Sequence, residues 1–189
     1  MSTLILPDPS LVVLVGAAGS GKSTLGARLF APDEILSSDA LRAAVSGSEA
    51  DQAASGVAFR ILHRTIERRL AKGEMTVVDA TNTKAEHRRP LLARARAAAT
   101  PTVAIILDLR PSQIHAQNTA RTERVVDPVV VERHLAAIRQ TVDKGELTVE
   151  GFDHVVLLRT PADVTSLRIQ RGPDRTRRVA PGAARRRER

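Results

Sequence analysis

Residues Leu11–Thr24 read LVVLVGAAGSGKST, and this stretch decides how the rest of the chain is arranged. Its first half is a run of valine and leucine, the composition of a strand buried on both faces. Its second half, Gly16-x-x-x-x-Gly21-Lys22-Ser23, has the spacing of a phosphate-binding loop between a strand and a helix. Glycines at 16, 19 and 21 let backbone N–H groups turn inward around a phosphate chain, where side chains would strain the loop or block approach. Lys22 can reach β- and γ-phosphates as a point charge, and the Ser23 hydroxyl suits Mg²⁺. A helix opening near Ser23 adds its positive N-terminal end to the same anion site. The expected nucleotide-binding set is therefore Gly16, Gly19, Ser20, Gly21, Lys22, Ser23 and Thr24, with ATP or another NTP and Mg²⁺ as ligands. A chance match in a glycine-rich turn is the competing reading. The strand before the loop and the Leu25/Leu29 helical spacing after it argue against that.

Length and composition narrow the rest. A chain of 189 residues suits one sizeable core, which we place at residues 1–170. No run of 18 apolar residues and no basic-then-apolar leader is present, so neither a membrane partner nor secretion is expected. The cytoplasm is the default. With no cysteine, disulfides, thiolate metal sites and a cysteine nucleophile are excluded. Residues 171–189 hold eight arginines against Asp174 and Glu188, a net +6 of the chain's +8. This tail is expected to be disordered. It either grips RNA through phosphate contacts or simply solubilises the chain.

Working outward, Leu4-Ile5-Leu6 before Pro7-Asp8-Pro9 reads as a lead-in segment or short edge strand. Glu34–Ser38 reads as a second strand ending at Asp39, and Leu41–Val45 as a helix. Asp51–Lys72 is the clearest long helix, with a stripe at Phe59, Leu62, Ile66 and Leu70 and a stop at Gly73. Met75–Asp79 is a third strand, followed by a helix over about Lys84–Ala98. Thr102–Leu109 is a fourth strand, and Pro111 opens a helix towards Asn118. Asp127-Pro128 caps a further helix, Asp153–Leu158 is a fifth strand, and Pro161 starts a last short helix. Alternating strands and helices predict an α/β, P-loop NTPase fold: a five-stranded, mostly parallel sheet with helices on both faces and a helical lid.

In such a sheet the carboxyl ends of the strands share one edge, where ligands bind. Three tips carry chemistry: the phosphate-binding loop, Asp39 and Asp79. Asp79, after an apolar run, matches a carboxylate that holds Mg²⁺ directly or through water, or else a plain turn residue. Asp39 can take a proton from an attacking alcohol, or merely cap a helix. Arg42, one turn on, can grip an anionic acceptor. Arg121 and Arg124 sit between two helices, where nucleotide kinases keep a lid whose arginines meet the charge on a transferring phosphoryl; a solvated charged turn is the alternative. The five histidines show no metal-ligand spacing and read as scattered structural or surface residues.

The landmarks LVVLVGAAGSGKST, ILSSDALR, DQAASGVAFRILH, TVVDATN, ARTERVV and GFDHVVLL, spread over about residues 10–165, resemble the 5′-hydroxyl polynucleotide kinase domain of bacterial polynucleotide kinase-phosphatase, used in RNA repair. The resemblance implies transfer of the γ-phosphate of ATP to the 5′-OH of RNA or DNA. It implies Asp39 as general base, Lys22 on the phosphates, Ser23 on Mg²⁺ and Arg42 on the acceptor strand. Arg121 and Arg124 would be the lid arginines, with Arg124 over the phosphates. That family continues into metallophosphatase and ligase-like domains, which this sequence does not contain, so a separate phosphatase or ligase is the implied partner. The arginine tail is outside the pattern, and with Phe30, Phe59 and Phe152 as the only aromatics, strand binding is expected to rest on charge. A P-loop kinase of a sugar or antibiotic alcohol remains a rival, as does a regulatory or RNA-binding ATPase.

Overall fold

The computed structural model describes residues 3–172 apart from 49, 50, 52 and 122–124. Arg124 and the arginine tail from 173 onward therefore lie outside the described residues.

The main sheet has five strands, β2 (Leu11–Gly16), β3 (Ile35–Ser37), β4 (Thr76–Asp79), β5 (Thr102–Leu107) and β6 (His154–Leu158), in the order β3-β4-β2-β5-β6. Every pairing is parallel. The fold is thus the α/β P-loop arrangement expected, with no antiparallel strand in this sheet. Alternation along β2 explains how it sits between two layers. Leu11, Val13 and Val15 join one apolar cluster, with Leu62 and Ile66 of α3 (Ser55–Ala71), Leu91 of α4 (Ala85–Ala97) and Ile138 of α6 (Pro128–Asp143). Val12 and Leu14 join the other, with Leu25 of α1 (Lys22–Leu29) and Leu6.

Leu6 belongs to a feature the sequence did not disclose. Strand β1 (Thr3–Pro7) pairs in parallel with β7 (Arg168–Gly172), forming a separate two-stranded sheet against the α1 side. So the lead-in segment is a strand, but not an edge of the main sheet. Regular structure among the described residues extends to Gly172, the end of β7. Arg171 makes a two-pronged bond to Glu34 at 2.7 and 2.6 Å, tying β7 to the turn before β3.

Two boundaries move. The long helix starts at Ser55 rather than Asp51, and its buried stripe is Ala58, Leu62, Ile66 and Leu70. Strand β3 stops at Ser37, because the Ser37 hydroxyl accepts from the Ala40 N–H and caps α2 (Ser38–Ser46). The remaining helices are α5 (Pro111–Thr119), α7 (Glu146–Glu150) and α8 (Pro161–Ser166). No helix among the described residues is long and apolar enough to cross a membrane.

Candidate active site

Register alone brings the loaded strand ends together. Ser37 and Leu14 both lie opposite Asp79 on the two strands that flank β4. Neighbouring strands are about 4.8 Å apart, so the ends of β3 and β2 sit roughly 10 Å from each other across Asp79. Two residues beyond Leu14 the phosphate-binding loop begins, and two beyond Ser37 stands Asp39. The Gly16 N–H donates to the Thr81 carbonyl at 3.0 Å, which fixes the start of the loop to the exit of β4.

One cleft of about 1100 Å³ runs along this edge. It is lined by the loop residues Gly19–Thr24, by Asp39 and Arg42 of α2, and by Asp79 and Arg121. That volume exceeds what one drug-sized ligand fills and leaves room for a nucleotide and an acceptor. The expected residues converge with two qualifications. Gly16 lies beneath the loop, where an added Cβ would sit 2.6 Å from the Ser20 Oγ. Arg124 falls outside the described residues.

Lys22 is buried, and its Nζ donates to the Ala17 carbonyl at 2.7 Å. Burial drives its ammonium down from 10.5 to about 8, with the Asp79 charge opposing that fall and the Arg121 charge adding to it. This cation is poorly compensated by the protein, as a group waiting for an anion is. Gly19 and Gly21 both hold positive φ, +80° and +88°, at the bend of the loop. The Ser20 hydroxyl is buried with no hydrogen-bond partner among the described residues.

Asp39 stands in the first turn of α2 and forms an ion pair with Arg42. Because Ser37 supplies the cap, the capping alternative for Asp39 is removed. Ser23 is exposed in the cleft and Asp79 lines it, so a hydroxyl and a carboxylate face the same space. No group of three or more His, Asp or Glu side chains among the described residues could form a metal cage. A hydroxyl–carboxylate pair fits Mg²⁺, which keeps waters and is held jointly by protein and phosphates.

Four residues of the site escaped the sequence reading. Phe59 leaves the buried stripe and lines the cleft, with the His63 ring 6.4 Å away. His87 and His134 line it too, rather than being scattered. The Ala18 N–H of the phosphate-binding loop donates to His134 Nδ1 at 3.4 Å. Burial, then the charges of Lys22, His87 and Lys84, hold His134 below the usual imidazole range and so in the accepting neutral form. Asn118, at the end of α5, is packed against Gly19. None of these has a local signature; each is recruited from a distant element.

The loop between β4 and α4 is braced from behind. Asn82, at φ 47°, donates to the Leu14 carbonyl at 2.8 Å. Its own carbonyl accepts from Arg88 at 2.9 Å, and Arg88 forks onto Glu150 at 2.8 and 2.5 Å.

Comparisons with known proteins agree with this architecture. Residues 11–144 match the family model described as an AAA domain. A chain of the Pnkp1/Rnl/Hen1 RNA repair complex superposes with a TM-score of 0.62 at 18% identity, over 74% of this chain and 47% of that one. The AvrRxo1-ORF1:-ORF2 structure with ATP gives 0.63 at 14% identity, over 81% and 55%. A gluconokinase from Sinorhizobium meliloti 1021 gives 0.55 at 19% identity, over 85% and 87%. The chain therefore spans about half the length of the first two proteins and most of the third. At these identities the likeness is one of fold. No curated protein sequence matches the chain.

Proposed function

The chain belongs to the AAA-domain family, and from that premise we propose that it transfers the γ-phosphate of ATP to the 5′-hydroxyl end of RNA or DNA. The observation that carries this reading is Asp39: a carboxylate open to the cleft that holds Lys22, released from capping by Ser37. In the proposed reaction Asp39 accepts the proton of the acceptor hydroxyl as its oxygen attacks the γ-phosphorus, and the bond to the β–γ bridging oxygen breaks to release ADP. Lys22 and the backbone N–H groups of the loop hold the β- and γ-phosphates, with Arg121 and Arg124 meeting charge that develops on the transferring phosphoryl. Mg²⁺, held by Ser23 and Asp79, would neutralise phosphate charge.

Arg42 favours an anionic acceptor beside the base. Phe59 offers the apolar wall that the composition did not promise, and a terminal nucleobase could lie against it. The RNA repair protein among the structural neighbours supports the same choice, and the cytoplasm is the compartment this reading implies. A second reading, phosphorylation of a small polyol, is favoured by one comparison. The fold is like that of a gluconokinase, with a TM-score of 0.55.

Transfer of label from [γ-³²P]ATP to 5′-OH RNA and DNA oligonucleotides, run beside a panel of sugars and sugar acids, separates the readings. Labelled oligonucleotide is the expected result. Label only on the panel establishes the polyol reading, and release of phosphate alone establishes an ATPase.

A further inference from the structure

Helix α3 turns one side to the core and the other to solvent. Ala58, Leu62, Ile66 and Leu70 are buried at four-residue spacing. Arg60, Arg64 and Arg68 are exposed and fall midway between them, which at 3.6 residues per turn is the opposite side of the helix. The three arginines therefore form a row along the outer face, about 12 Å from first to last. The helix has one acid, Glu67, and Arg94 of α4 takes it at 3.0 Å. Among the described residues no carboxylate forms an ion pair with Arg60, Arg64 or Arg68. The row starts at the site. Ser55 and Phe59 of the same helix line the cleft beside Asp39 and Arg42, and Arg60 follows Phe59 directly. Val57 and Ile61, 38% and 39% exposed, share the outer face with the arginines.

We propose that the outer face of α3 is the track on which the acceptor strand leaves the site. The 5′ nucleotide lies in the cleft, and the phosphates that follow it pass over Arg60, Arg64 and Arg68 in turn. This rests on the polynucleotide reading above. A row of evenly spaced cations with no counter-charge is complementary to a polyanion whose charges are also evenly spaced. Phosphates are roughly 3.4 Å apart along a stacked strand, so the row serves three or four nucleotides. Each guanidinium can present two parallel N–H groups to a phosphate. Val57 and Ile61 offer apolar surface to sugars and bases between those contacts. They carry no hydrogen-bonding group that could tell one base from another, so the track is indifferent to sequence. A sugar or other small polyol ends inside the cleft and does not reach the row.

The test is acceptor length. Full-length wild type and the triple variant Arg60→Gln/Arg64→Gln/Arg68→Gln transfer label from [γ-³²P]ATP to a 5′-OH dinucleotide and to dodecamers of several sequences. Glutamine matches arginine in helix propensity, and melting temperatures are recorded alongside. In the triple variant KM for every dodecamer is expected to rise about tenfold with kcat held, and KM for the dinucleotide, which ends before the row, to move less than about twofold. The log–log salt slope of dodecamer binding, read by fluorescence anisotropy, should shrink by about 2, at roughly 0.7 per phosphate. Lysine at the same three positions should keep most of the dodecamer affinity. Arg89→Gln/Arg139→Gln/Lys144→Gln removes the same charge from exposed positions elsewhere and should leave that affinity within about twofold. Equal rises for both acceptor lengths, no rise for the dodecamers, or the same rise in this second variant would overturn the inference and leave the transfer reading in place. Binding of wild type but not the row variant to phosphatidylserine vesicles, with oligonucleotides unaffected, would make the row a membrane contact and overturn it too. No label on any oligonucleotide would overturn the transfer reading and this inference with it.

Discussion

Asp39 and Arg42 are joined in an ion pair one turn apart on α2, the carboxylate 37% exposed towards the cleft and the guanidinium only 8% exposed. Pairs at this spacing are natural helix neighbours. With one partner this open to water the pair contributes little to stability. Its consequence is directional: the buried guanidinium limits how the carboxylate can turn at the mouth of the site.

Asp39→Asn is accordingly expected to fold and to bind nucleotide as the wild type does. Phosphoryl transfer should fall by about 10²–10⁴, the range a general base contributes. Single-turnover transfer and AMP-PNP affinity measured on the same preparation check both halves. Normal transfer by this variant would remove Asp39 from the chemistry.

Lys22 gives the site a pH signature. Its ammonium titrates at about 8 instead of 10.5 in the ligand-free protein, chiefly through burial. A triphosphate binds the charged form. Affinity for Mg²⁺·AMP-PNP should therefore be flat below about pH 8 and fall about tenfold per pH unit above it. Folding stability without ligand runs the other way. Between about pH 8 and 10.5 the unfolded chain carries more protons than the folded one, so stability rises with pH across that window. Lys22→Met should abolish both trends, at a large loss of affinity. Affinity unchanged from pH 7 to 9.5 would mean that this ammonium does not meet the phosphates.

The sequence made the phosphate-binding loop, Asp79 and the central strands legible because each is specified locally: glycines at fixed offsets, and apolar runs four to six residues long ending in a carboxylate. It did not disclose the β1–β7 pair. Arg168–Gly172 shows no apolar run, and its partner lies at the other end of the chain. The sequence reads as strand through Ser38 with Asp39 the one cap candidate, because a short serine run suits either state, and only the bond to the Ala40 N–H assigns the cap to Ser37 and starts α2 at Ser38. Phe59 fits the helical stripe as well as its flank, and packing decided between them. His134 and Asn118 act on the phosphate-binding loop from about a hundred residues away, a relation no local pattern encodes.

The brace behind β4 predicts a stability effect. Arg88 is fully buried between Glu150 and the Asn82 carbonyl. Arg88→Met leaves a buried carboxylate without its counter-charge, which costs about 3–5 kcal/mol. For a chain of this size that lowers the melting temperature by roughly 6–20 °C. Adding Glu150→Leu should restore much of the loss, since apolar residues then replace both charges. Thermal melts of the single and double variants decide this; a double variant no better than the single would show that the Asn82 bond, and not the charge pair, carries the effect.

Gly19 and Gly21 separate backbone strain from collision. Both hold positive φ, so alanine at either position incurs the left-handed penalty of about 1–2 kcal/mol. Around Gly21 nothing lies within 4 Å of an added Cβ, whereas at Gly19 it meets the main chain of Asn118 at 3.2 Å. Backbone cannot swing aside as a flexible side chain can, so Gly19→Ala must push the end of α5 away from the phosphate-binding loop. Gly21→Ala should therefore lose about 1–2 kcal/mol in ligand-free denaturant unfolding, and Gly19→Ala distinctly more. The larger loss should persist when Asn118→Ala is added, because alanine keeps the Cβ, Cα and N that the added Gly19 carbon meets. Equal stabilities for the two glycine variants would show that the loop absorbs the extra carbon by itself, and that its tip is not wedged against α5.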